Sequence, residues 1–167
     1  MVTSGARARP GFTLLEAMIV VAVMGIIASV GPALLVQANR FFMLSRVRAD
    51  LQGQARGIMY VITRELRQAQ STTITIDQAS NQPYYSRINF TKQNGTNMIF
   101  YQNGNRLMQQ VGNNVHTLTT SLTYMAFSFP RSDNMSIVSV SMTLQQTIYQ
   151  GQTKALHMAS QQVRVMD

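Results

Sequence analysis

The sequence contains no cysteine. That excludes a disulfide framework, a cysteine-based zinc site and a cysteine nucleophile, so whatever folds is held by packing alone. Compartment stays open, because exported proteins can do without disulfides. Charge is scarce too: 12 % of residues are Asp, Glu, Lys or Arg, about half the usual share. Asn, Gln, Ser and Thr take their place, which suits a surface that packs against copies or relatives. Acids are scarcest, six against fourteen basic residues. After residue 70 only Asp77, Asp133 and Asp167 remain, too scattered for an acid/base pair. The only histidines, His116 and His157, have no second ligand at metal spacing. No G-x-S-x-G, P-loop or G-x-G-x-x-G occurs. Nothing here asks for a catalytic residue, a cofactor or a metal. The twelve methionines read as core and membrane fillers.

What is present begins at the N-terminus. Residues 1–11 are short, polar and basic, ending in Pro10-Gly11, and no acid precedes Glu16. From Phe12 to Val36 there are 25 residues with one charge. A helix of that length covers the roughly 30 Å hydrocarbon core of a bilayer. The formal net charge is +8; Arg7 and Arg9 precede Gly11, so a product starting at Phe12 carries +6. That excess reads either as attraction to anionic lipid or nucleic acid or as scattered arginines with few acids to balance them. No run of Lys/Arg occurs. Arg7 and Arg9 lie before the apolar run, and Arg40, Arg46 and Arg48 after it, so charge leaves its orientation nearly balanced.

Three readings of the run compete. A secretory signal peptide would be cut after it; Ser29-Val30-Gly31 mimics such a site, but Pro32 would follow the cut and the run is long for the purpose. A plain bitopic anchor leaves Glu16 unexplained, because intramembrane carboxylates are expensive and usually functional. The third reading cuts before the run, after Gly11, and keeps the run in the mature chain.

The stretch Gly11-Phe12-Thr13-Leu14-Leu15-Glu16-Ala17-Met18-Ile19-Val20 resembles the processing and assembly segment of type IV prepilin-like proteins, the family of type IV pilins and of the pseudopilins of type II secretion. The resemblance covers roughly residues 7–40. It implies that a membrane prepilin peptidase cleaves between Gly11 and Phe12 and N-methylates the new Phe12 amine. It also implies an inner-membrane, single-pass protein with its leader in the cytoplasm and its bulk outside. Gly25 and Pro32 sit where pilin helices often carry helix-loosening residues.

Glu16 has a physical role in that setting. Near a helix N-terminus a carboxylate lies at the favourable end of the macrodipole. Where apolar helices bundle, a neighbour's Phe12 amine is its natural partner, because each charge alone is costly there. Such a pair would fix axial register. The alternative is an interfacial Glu solvated by headgroups.

Past Val36 the apolar residues become periodic. Leu44, Val47, Leu51, Ala55, Ile58, Ile62 and Leu66 recur at spacings of three and four, an amphipathic stripe. Arg46, Asp50, Gly53, Arg64 and Arg67 fall opposite. The pattern predicts one helix from about Thr13 to Gln70, with a kink or melted turn at Pro32. Gly53 and Gly57 form a G-x-x-x-G, read either as chance or as a close contact with a neighbouring subunit.

After Ser71 the period switches to two. Strands are expected over 72–76, 87–92, 98–101, 107–111, 122–129 and 138–144, with a last one near Val163 and Val165. Asn94-Gly95 and Asn103-Gly104 supply tight turns. The expected fold is α+β: a long helix packed on an antiparallel sheet. It divides into a leader over 1–11, a transmembrane or filament-core helix over 12–36, an amphipathic helix over 37–70 and a sheet domain over 71–167. This layout is similar to that of pilins and pseudopilins. Ile62 to Ala69, Ile99 to Leu107 and Val163-Arg164-Val165 resemble most nearly a J-type minor pseudopilin or a W-type minor pilin. The acid-rich calcium loop of major pseudopilins has no counterpart. The resemblance implies a minor subunit that helps initiate or cap a filament for protein secretion. Its partners would be the prepilin peptidase, other pilins or pseudopilins, an inner-membrane assembly platform and, before assembly, the lipid bilayer. The competing function is a pilus-borne subunit contacting nucleic acid or surfaces.

Overall fold

The computed structural model describes residues 11–131, 133–148 and 154–165. The chain divides into two units, Met1–Phe42 and Met43–Asp167. One helix, α1 (Leu14–Leu66), contributes its first part to one unit and its second part to the other.

Among the described residues of the first unit the helix stands alone. Thr13 begins it: the Glu16 amide donates to Thr13 Oγ1 at 3.3 Å, and the Ala17 amide donates to the Thr13 carbonyl at 3.2 Å. That side-chain acceptor satisfies an amide with no partner inside the helix. Residues 12–30 are all exposed, and the helix is long and apolar enough to cross a membrane. Residues 14–42 cover roughly 40 Å at helical rise. Ser29 Oγ donates to the Ile26 carbonyl at 2.8 Å, so its hydroxyl is satisfied within the helix. The helix continues without interruption through Pro32.

In the second unit α1 is one layer of a core. Leu51, Ala55, Ile58, Ile62 and Leu66 are buried, with Leu44 and Val47 packed against them. Met59, Thr63 and Glu65 are buried as well, so the covered face is wider than one stripe. The helix stops at Leu66, short of the expected Gln70. The Gln68 and Ala69 amides tighten onto the Glu65 and Leu66 carbonyls at 3.1 Å, and the Gln70 amide is taken by the Thr91 carbonyl at 2.9 Å. The strand expected over 72–76 begins instead with a 3₁₀ turn (Ser71–Thr73). Thr73 Oγ1 donates to the Gln70 carbonyl at 2.8 Å and accepts from the Thr91 amide at 3.0 Å. This local side-chain bonding competes with an extended backbone.

Among the described residues eight strands follow: β1 (Thr75–Asp77), β2 (Arg87–Thr91), β3 (Asn97–Asn103), β4 (Arg106–Val111), β5 (Asn114–Thr119), β6 (Leu122–Ser128), β7 (Ile137–Thr147) and β8 (Lys154–Arg164). They form not one sheet but two antiparallel ones, β1-β2-β3-β4-β5 and β6-β7-β8. Asn94-Gly95 and Gly104 make the expected turns, with φ of +81° and +60° at the glycines. The seam between the sheets carries Gln102, which is buried. Its Nε2 donates to the Gly104 carbonyl at 3.0 Å, and its Oε1 accepts from the Met125 amide at 3.1 Å. A side-chain amide thus replaces a strand ladder there. Phe90, Phe100, Phe127, Met142 and Leu144 meet the helix stripe in one continuous core.

Ile62 is completely buried. Ile62→Ala therefore lowers unfolding stability by about 2–5 kcal/mol. The exposed Gln52→Ala on the same helix changes it by less than about 0.5 kcal/mol. Urea denaturation of the chain in detergent measures both.

Candidate functional site

The predicted site residues Gly11, Phe12 and Glu16 lie together at the start of α1. Gly11 and Phe12 precede the first helical turn, and Phe12 is 80 % exposed. An added Cβ at Gly11 would meet no neighbouring atom. Among the described residues nothing covers the bond between them. The leader before Gly11 lies outside the described residues. Thr13 is the component that sequence reasoning missed. It stands three residues before Glu16, the spacing of a capping box, and that spacing was readable. By anchoring the helix start at Thr13, it places Glu16 in the first turn, where the amide dipoles favour a carboxylate. Glu16 is exposed, as are Leu14 and Leu15, which flank it at 82 % and 69 %. A carboxylate is thus displayed within an apolar surface with no cation from the described chain against it. Pro32 lies sixteen residues further along the same helix, beside the half-exposed Gly31.

A second ionic cluster lies within the C-terminal unit. Glu65 is buried on the inner side of α1. Its Oε1 accepts from Arg64 Nη2 at 2.7 Å and Nε at 3.0 Å, and its Oε2 pairs with Lys92 Nζ. Burial pushes its carboxyl up, but the hydrogen bonds from Lys92 and Arg64 and their charges outweigh that and hold it below the usual range. Backbone bonds reinforce the link, since Ala69 bridges to Lys92. The cluster ties the end of α1 to the β2–β3 turn. Near the surface, Arg87 Nε and Nη2 clamp Asp77 at 2.5 Å across β1 and β2, lowering the Asp77 carboxyl against a smaller opposing effect of burial. Both acids serve as structural ties. Among the described residues no group of three His, Asp or Glu side chains could hold a metal ion. Gly53 and Gly57 are exposed on α1, with open space where a Cβ would stand.

The arrangement is that of an α+β protein with a membrane-compatible N-terminal helix, an accessible bond before it and a carboxylate in its first turn. Residues 6–31 match the family model for the prokaryotic N-terminal methylation motif. The match straddles Gly11 and Phe12 and takes in Glu16, and it supports a type IV prepilin-like protein, a structural rather than a catalytic family. No curated protein and no solved structure matches the chain.

Because the folded Glu65 carboxyl lies below its unfolded value, its contribution to stability is complete above about pH 4.3. It is lost as pH falls through the folded value. Glu65→Gln should flatten that acid limb. It should also cost about 3 kcal/mol at neutral pH, because Lys92 is left without its counter-charge. Urea midpoints across pH read both effects; identical acid limbs in the two proteins would contradict the role given to Glu65.

Proposed function

We propose that this protein is a minor structural subunit of a type II secretion pseudopilus or type IV pilus. The observation that carries the reading is the methylation-motif match over residues 6–31, falling on a helix whose apolar surface is exposed throughout its first unit. Prepilin peptidase cuts between Gly11 and Phe12 and the new Phe12 amine is N-methylated. The chain waits in the inner membrane with its C-terminal domain outside the cytoplasm. It then leaves the bilayer for a filament through an inner-membrane assembly platform.

In the filament, apolar surface that faced lipid faces neighbouring helices, and Glu16 meets a neighbour's cationic Phe12 amine. A mismatch of one helical turn leaves both charges unpaired in a low-dielectric core, so the pair sets axial register. Pro32 removes one backbone donor from the helix and lets its apolar part adjust to neighbours. The resemblance to J-type and W-type minor subunits favours a place at the start or tip of the filament.

Mass spectrometry of the protein from peptidase-competent cells should find N-methyl-Phe12 at the N-terminus. Intact Met1 in such cells would overturn the proposal. Glu16→Ala should leave cleavage unchanged while reducing recovery in sheared filament fractions by about tenfold or more, since it removes a buried pair. Normal incorporation of Glu16→Ala would rule out the register role.

A further inference from the structure

Strand β8 (Lys154–Arg164) is the edge of the three-stranded sheet and pairs only with β7 among the described residues. It is eleven residues long, and natural edge strands of that length are usually covered or blunted. Beside it runs a groove of about 830 Å³ whose other wall is α1. Five consecutive residues, 157–161, line it. Neighbouring residues of a strand point to opposite faces, so the groove meets β8 along its edge and not over one face.

The groove has a defined chemistry. Arg56, Arg64 and Arg67 line the helix wall, and among the described residues no acidic side chain lines any part of it. Arg64 is engaged by Glu65 yet remains 55 % exposed; among the described residues no ion pair joins Arg56 or Arg67 to an acid. Tyr60 and Met158 add exposed apolar surface, 67 % and 74 %. An open edge offers main-chain hydrogen bonds to an extended chain, and the arginines select its charge.

We infer that β8 and this groove form a docking site for an extended acidic segment of a different protein, which adds to the sheet as a fourth strand beside β8. A second copy of this chain does not fit. Its described acids lie on the helix (Glu16, Asp50, Glu65) or beside arginines, Asp77 with Arg87 and Asp133 with Arg131, so among the described residues no strand of a copy presents an unpaired acid. Nucleic acid would use the arginines but not the strand edge. The inference rests on the C-terminal unit alone and stands whether or not the chain is processed at Gly11.

The test uses the full chain in detergent micelles and fluorescence anisotropy of labelled eleven-residue peptides. An alternating Glu/Val peptide should bind, and an alternating Lys/Val peptide should not. Methylating every backbone nitrogen of the Glu/Val peptide keeps its charge but removes the main-chain donors on both of its edges, and should abolish binding. Arg56→Gln with Arg67→Gln should weaken binding about tenfold or more. Arg106→Gln, on β4 of the other sheet, should leave it unchanged. Failure of the Glu/Val peptide to bind, equal binding of its methylated form, insensitivity to the Arg56/Arg67 change, or tighter binding of a single-stranded DNA oligonucleotide would each overturn the inference.

Discussion

An ionised carboxylate among apolar helices is costly unless a cation meets it, and the register role proposed for Glu16 follows from that constraint. Glu16 stands in the first turn of α1, with Leu14 and Leu15 exposed beside it. In a lone chain its compensation comes from the helix amides and from solvent or headgroups near the membrane edge. Packed against other helices it needs a charge of opposite sign, and the chain holds no basic residue between Phe12 and Val36. A free amine at Phe12 is the nearest source, and on the proposed reading it exists only after the Gly11–Phe12 bond is cut. Proteolysis would then create the counter-charge that assembly requires.

The same helix answers to a different demand after residue 43. There its apolar face is covered by two sheets, and the core around Leu51, Ile58, Ile62 and Leu66 is continuous. Glu65 is buried in this region under the rule that governs Glu16 in the proposal, but its cations come from within: Arg64 on the preceding residue and Lys92 across the fold. One acid is thus satisfied by folding, while the other is left displayed. That contrast separates a tie from a connector.

The amphipathic part of the helix was legible because the core takes one face of it, and a single face imprints a period on the sequence. Leu44, Val47 and Leu51 through Leu66 carry that imprint. The tight turns at Gly95 and Gly104 were legible because positive φ selects glycine. The division into two sheets was not, since the contacts at their seam, Gln102 bonding to Gly104 and to the backbone around Thr123 and Met125 among them, are ones no periodicity records. Strand β5 left no alternation because most of its residues face solvent on both sides. Burial of Glu65 was hidden because its partner Lys92 is distant in sequence. At the site, the cap at Thr13 was readable from the spacing to Glu16, whereas a cation supplied by another molecule leaves no trace in one chain.

The central claim is that Glu16 engages an amine made by cleavage in a neighbouring subunit. A photo-crosslinking residue at Leu15, beside an intact Glu16, measures this most directly in cells. The account predicts adducts to the N-terminal segment of another apolar-helix subunit when the prepilin peptidase is present, and their loss when it is deleted. Identical protein adducts with and without the peptidase would contradict it.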